Sequence, residues 1–265
     1  MQQPVKIPRH KSVYILPNLF TTASLFSGFL GILWAADGQY ESCALAIFFS
    51  ALMDGLDGKV ARLTGTSSEF GIQFDSLADL VAFGVAPGFL IFQAHLRGFD
   101  RLGIALAFHF TVCSALRLAR FNIQTATANK RFFTGLPAPA AGCSLAGLVL
   151  IAPHMPEFLR DGPLEGLLLF LTGAIAFLMV SNIRYASFKE LGAFKAHPFR
   201  SMVFVILVFA LVAAYPKVFG FLLIFGYILS GLAYTFVILP RKAAPAGRGL
   251  PAAAAPDPDK DSPQA

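Results

Sequence analysis

The chain has 265 residues, of which 56% are hydrophobic and 14% charged, with 28 Phe and a positive mean hydropathy. That composition excludes an ordinary soluble domain and describes an all-α polytopic membrane protein. The net charge of +6 is not the footprint of a nucleic-acid binder, because no basic run is interleaved with aromatics in a polar domain.

In chain order, residues 1–17 carry Lys6, Arg9 and Lys11 and read as a cytoplasmic juxtamembrane segment. The apolar stretch after them reads as a retained first transmembrane helix rather than a signal peptide, because similar spans follow it. About eight spans are expected, at 18–36, 43–62, 73–94, 102–119, 136–152, 163–181, 201–214 and 217–239. Tyr215-Pro216-Lys217 leaves room for little more than a turn, so the last two spans form a hairpin within 196–240. Residues 241–265, rich in Ala, Pro and Gly, are expected to be a disordered cytoplasmic tail. No internal repeat is visible. Cys43, Cys113 and Cys143 have neither disulfide nor metal spacing and read as buried reduced thiols.

Orientation follows from the basic residues. With the N-terminus inside, only Arg97, Arg101, Arg160 and Lys217 of the 21 Lys and Arg fall on the outer side. Both termini then face the cytoplasm, in a protein integral to the cell (inner) membrane.

One stretch stands out from this apolar background. Asp54 and Asp57 are three apart and Asp75 and Asp79 four apart, so on helices each pair shares a face. An acidic side chain at membrane depth costs roughly 2.5–3.5 kcal/mol, so the group together would cost about 10 kcal/mol or more if left uncompensated. Two divalent cations would cancel four carboxylates, and carboxylate oxygens are the ligands that hard cations such as Mg²⁺ take. The acids fall at the inner ends of spans two and three. Gly58, Ala61 and Gly71 are small and sit beside the acids, where a helix or ligand can approach closely.

The full pattern, D-x2-D-G-x2-A-R-x8-G-x3-D-x3-D from Asp54 to Asp79, resembles the signature of the CDP-alcohol phosphotransferase family, with every position filled. Leu16-Pro17-Asn18-Leu19 is similar to the opening of many members. Four further motifs resemble the phosphatidylserine synthase branch. They are Ser76-Leu-Ala-Asp79 through Pro87, Arg117-Leu-Ala-Arg120-Phe121-Asn122, Gly135-Leu-Pro137-Ala-Pro139 and Ser181-Asn182-Ile-Arg184-Tyr185.

The resemblance implies a six-helix catalytic membrane domain, here 18–195, followed by the C-terminal hairpin. It implies an enzyme that moves the phosphatidyl group of CDP-diacylglycerol onto L-serine and releases CMP, using two divalent cations, Mg²⁺ or Mn²⁺. By the same resemblance Asp54, Asp57, Asp75 and Asp79 hold the metals, and Asp79 is also the base. Gly58, Ala61, Arg62, Ser68, Gly71 and Asn18 contact the CDP-lipid, Arg62 through its bidentate fork. Arg117, Arg120 and Asn122 are candidates for the acceptor or a lipid phosphate. A homodimer among membrane lipids is implied as well. The same chemistry on glycerol 3-phosphate, an inositol compound or choline remains open. A prenyltransferase, which needs two separated Asp-rich motifs, and a cation transporter are the rivals from other classes.

Overall fold

The computed structural model describes residues 15–64, 68–126, 135–160 and 162–183, together with Gly226. The expected spans at 201–214 and 217–239, the tail, and Arg184-Tyr185 lie outside the described residues. Among the described residues every regular element is helical and there is no strand. In order they are α1 (Ile15–Ala36), α2 (Tyr40–Thr64), α3 (Glu69–Leu80), α4 (Ala86–Ile91), α5 (Asp100–Ala126), α6 (Ala138–Ile151), the single turn α7 (Glu157–Arg160) and α8 (Leu164–Val180). These match the first six expected spans to within a few residues at most ends. The exception is α5, which runs through residues 120–126, past the expected stop at 119.

Among the described residues, two stretches are long and apolar enough to cross a membrane: Pro17–Ala36 and the continuous helical run Glu69–Ile123. Ala138–His154 and Leu164–Val180 are shorter apolar helices. Helix α2 has no uninterrupted apolar stretch of that length, because Glu41 stands at one end and Asp54, Asp57 and Lys59 crowd the other.

α1 and α2 form an antiparallel hairpin. α1 ends at Gly38, whose φ of 77° is a left-handed conformation natural to glycine. The Gly38 N–H then donates to Ala35 O at 3.2 Å and the Gln39 N–H to Trp34 O at 2.8 Å, satisfying carbonyls that the helix end leaves open. Small and hydroxylated residues make the seam. Ser24 and Ser50 donate reciprocally to each other's backbone oxygen at 3.2 and 2.9 Å, and Ser27 donates to Ala46 O at 3.0 Å. Where lipid gives no hydrophobic drive between helices, close approach and such bonds hold them together.

The second long pass is not a uniform α-helix. Between α3 and α4, Val81–Val85 form a π-helical turn in which the Ala86 N–H reaches back five residues to Val81 O. Pro87 explains it. Proline cannot donate to Phe83 O, and in a tight α-turn its ring would strike that carbonyl, so the helix widens just before it. A second π turn, Phe92–Leu96, lies where the Tyr40 hydroxyl donates to Gln93 O at 3.0 Å. A short 3₁₀ turn, Arg97–Phe99, reverses the chain into α5. α3–α4 and α5 then run antiparallel, with Thr111 donating to Gly84 O at 3.2 Å and Asn122 to Ser76 Oγ at 2.9 Å.

The π turn is the centre of the core. A Cβ on Gly28 of α1 would stand 2.8 Å from Ala82 Cα, and one on Gly142 of α6 would stand 3.0 Å from Phe83 Cα. Gly84 faces Ser114 of α5 in the same way. Three helices therefore close on Ala82, Phe83 and Gly84, which are buried, with Ala82 and Phe83 at 0% exposure. The entry to α6 is fastened separately. Gly135, at φ 86°, and Leu136 donate to Ile183 O and Leu178 O at 2.9 and 3.0 Å, and Pro137 and Pro139 occupy the cap and first turn, where proline is tolerated.

Gly28→Ala should lower stability by about 1–3 kcal/mol, the range for overpacking a tight contact. Gly166→Ala, at an α8 position where the new Cβ meets nothing within 4 Å, should be neutral or stabilising by up to about 1 kcal/mol. Thermal unfolding of the two variants in detergent, side by side, checks this.

Candidate active site

The acids sit on two helices that share little packing of their own. Among the described residues α2 packs against the π turn and α4, while α1 packs against both α2 and α3. α2 and α3 therefore diverge toward the acid-bearing end, with α1 alongside. At the acids the two helices face each other across a gap.

Across that gap Asp54, Asp57 and Asp75 come together, with one oxygen from each lying within 4.8 Å of the others. Asp57 is the most enclosed of the three, at 6% exposure. Its carboxylate comes within hydrogen-bonding reach of Asp75 and accepts a bond from the Thr21 hydroxyl, 2.9 Å from Oδ2. Asp75 Oδ1 is buried with no hydrogen-bond partner among the described residues. Like charges this close, one with a buried oxygen that no described residue satisfies, fit a cation: oxygen ligands in this number and spacing suit a hard divalent ion.

Asp79, one turn beyond Asp75, is buried at 9% exposure and feels the charge of the other three acids, though its oxygens stand outside the close group. Arg117 of α5 brings positive charge to the same place, acting on both Asp54 and Asp79. The site thus combines three converging carboxylates, a fourth beside them and a guanidinium opposite.

The other residues singled out from the sequence divide. Ser68 caps α3, its Oγ accepting from the Gly71 N–H at 3.0 Å with extended backbone at φ −119°. Gly71 lies in the first turn beside that hydroxyl, and a Cβ there would stand 3.6 Å from Asn18 Oδ1, so the ends of α1 and α3 meet. Gly58 follows Asp57 directly and is half-buried. Ala61 and Arg62 lie on the last turns of α2, and their side chains are outside the described residues.

Arg120 is turned away from the acids. It donates to Asn182 Oδ1 at 2.8 Å and to Val180 O at 3.4 Å, closing the C-terminal end of α8, where cations are favoured. Asn122 ties α5 to α3 through Ser76 Oγ at 2.9 Å, next door to Asp75. His109 meets Cys113 Sγ at 3.5 Å one turn along its own helix and is exposed. The three cysteines are free and buried, as expected.

The sequence reading missed Thr21. The signal was present: Asn18, Thr21, Ser24 and Ser27 recur every three residues in an otherwise apolar span. It could have been taken for the ordinary small, polar seam of a membrane helix pair.

Comparison with known proteins agrees with this arrangement. The chain is 44% identical over 178 residues, covering 67% of it and 74% of the relative, to a Helicobacter pylori protein named CDP-diacylglycerol–serine O-phosphatidyltransferase. It is 34% identical to the archaetidylserine synthase of Methanothermobacter thermautotrophicus over 69% of this chain and 74% of that one. It is also 33% identical to a Bacillus subtilis CDP-diacylglycerol–serine O-phosphatidyltransferase, over 66% of this chain and 92% of the relative. A family model described as CDP-alcohol phosphatidyltransferase matches residues 14–180, the stretch that holds the π-turn core, all four acids and Arg117. The chain belongs to the CDP-alcohol phosphatidyltransferase family.

Proposed function

We propose that this protein transfers the phosphatidyl group of CDP-diacylglycerol to L-serine, giving phosphatidylserine and CMP. The observation that carries the reading is the convergence of Asp54, Asp57 and Asp75, with Asp79 and Arg117 beside them, in a chain similar to serine-specific members of its family.

In this reading Asp54, Asp57 and Asp75 hold two divalent cations, Mg²⁺ or Mn²⁺, with Asp79 at their edge. Bound there, such ions polarise the diphosphate and stabilise the departing CMP. The protein's own groups do the rest. Asp79 takes the proton from the serine hydroxyl, that oxygen forms a bond to the phosphorus bearing the diacylglycerol, and the bond from phosphorus to the CMP oxygen breaks. Arg117 compensates negative charge on the acceptor carboxylate or the lipid phosphate. Gly58, Ala61, Arg62 and Gly71 line the approach of the CDP moiety. Asn18 and Ser68 shape that approach, Ser68 by starting α3 where it does. Arg120 and Asn122 hold α8 and α3 in register with α5.

The placement belongs to the same reading. About eight helices cross the cell membrane, 18–195 as the catalytic domain and 196–240 as a hairpin, with the site and both termini cytoplasmic and the protein a homodimer.

Purified protein given CDP-diacylglycerol and Mg²⁺ or Mn²⁺ should convert labelled serine to phosphatidylserine and release CMP. A chelator should abolish this and either cation restore it. Incorporation of labelled glycerol 3-phosphate alone would overturn the serine assignment.

Asp79→Asn should lower kcat by at least about 10²-fold, within the usual contribution of a general base, with its unfolding temperature retained. Unchanged turnover would remove Asp79 from that role.

The two arginines should separate. Arg117→Ala should raise the KM for serine or CDP-diacylglycerol about tenfold, as expected for a lost charge-assisted bond. Arg120→Ala should lower the unfolding temperature with a smaller effect on KM, and the reverse pattern would exchange their roles.

A further inference from the structure

Helix α1 carries a polar stripe at three-residue spacing: Asn18, Thr21, Ser24 and Ser27. Its upper members, Ser24 and Ser27, do the common work of a helix seam and donate to backbone carbonyls of α2. Thr22, on another face, does what a helical threonine does by default and returns its proton to the carbonyl four residues back, Asn18 O, at 2.7 Å.

Thr21 departs from both habits. Its Oγ1 stands 3.2 Å from the equivalent carbonyl, Pro17 O, yet 2.9 Å from Asp57 Oδ2. The hydroxyl has one proton for two acceptors. The nearer acceptor is a carboxylate, and bonds to an ionised acceptor are about twice as strong as neutral ones. Both residues are buried, Thr21 at 4% and Asp57 at 6% exposure, so water does not compete for the bond.

The position matters as much as the bond. α1 packs against both acid-bearing helices, and Thr21 is a point where it touches the acids themselves. Asp57 in turn is the acid that meets Asp75 from across the gap.

We propose that Thr21 is the positioning residue of the cation site: its hydroxyl fixes the Asp57 carboxylate in the orientation in which it meets Asp54 and Asp75. The inference rests on the reading of those acids as cation ligands. Groups that orient a ligand in this way commonly change metal affinity by about 10–100-fold when removed.

The test is Mn²⁺ binding by full-length protein in detergent without substrates, read from the electron paramagnetic resonance signal of free Mn²⁺, together with the unfolding temperature of the metal-free protein. Thr21→Val removes the hydroxyl at nearly constant volume and should weaken Mn²⁺ binding about tenfold. Thr21→Ser keeps the hydroxyl and should stay within about twofold of wild type. Ser24→Ala, one step up the seam, should leave Mn²⁺ affinity unchanged. Thr21→Ala replaces the valine variant if that does not fold, with the same expected loss. Wild-type Mn²⁺ affinity in the hydroxyl-less variant, with only a lowered metal-free unfolding temperature, would make Thr21 a packing residue and overturn the proposal. Equal losses in Ser24→Ala would do the same. Failure of the wild-type protein to bind Mn²⁺ at all would instead sink the cation reading of the acids, and this inference with it.

Discussion

Repulsion among buried carboxylates is the constraint that the rest of this structure answers. Two unit charges 4.8 Å apart repel by about 3–4 kcal/mol at the effective dielectric constant of about 20 that describes protein sites. Asp54, Asp57 and Asp75 include three such pairs, and Asp79 adds to them. A chain selected for stability alone would separate these groups or turn them to water. This one holds them together with a threonine hydroxyl on one side and a guanidinium on the other, and among the described residues a buried oxygen of Asp75 has no partner. That cost is the mark of a site rather than of a scaffold.

The scaffold resists the repulsion by making everything behind the acids tight. Glycines 28 and 142 let α1 and α6 close on Ala82 and Phe83 at backbone distance, and Gly84 makes room for the Ser114 side chain of α5, so α3 is held at its base. The α1–α2 hairpin is held by its glycine turn and by hydroxyls bonded to carbonyls. Between these two units the acid-bearing ends of α2 and α3 stand apart, and their carboxylates meet across the gap.

Much of this was legible in the sequence because its signals are local. Apolar runs mark the helices, and the spacing of Asp54, Asp57, Asp75 and Asp79 marks a shared face on each of two of them. What was not legible depends on residues far apart in the chain. Nothing near Thr21 announces a partner 36 positions away, and nothing near Arg120 announces Asn182. The two motifs that hold Arg120 and Asn182 were read separately, each for a resemblance, and only the fold shows that they are two halves of one contact. Ser68 is a local case: a serine just before a helix start has the chemistry of a cap, and the structure contains that cap.

The wide turn that Pro87 imposes after Asp79 also acts as a gear between two parts of one helix. Each residue of an α-helix advances the side-chain direction by about 100°, so the extra residue held in Val81–Val85 sets the azimuth of Asp75 and Asp79 against that of α4 and the core. Winding the same five residues as an α-turn would leave both helical segments intact and every acid in place in the sequence. It would also swing the pair about a quarter-turn away from Asp54 and Asp57, so the aim of the acids is fixed by a proline eight residues downstream of the last of them.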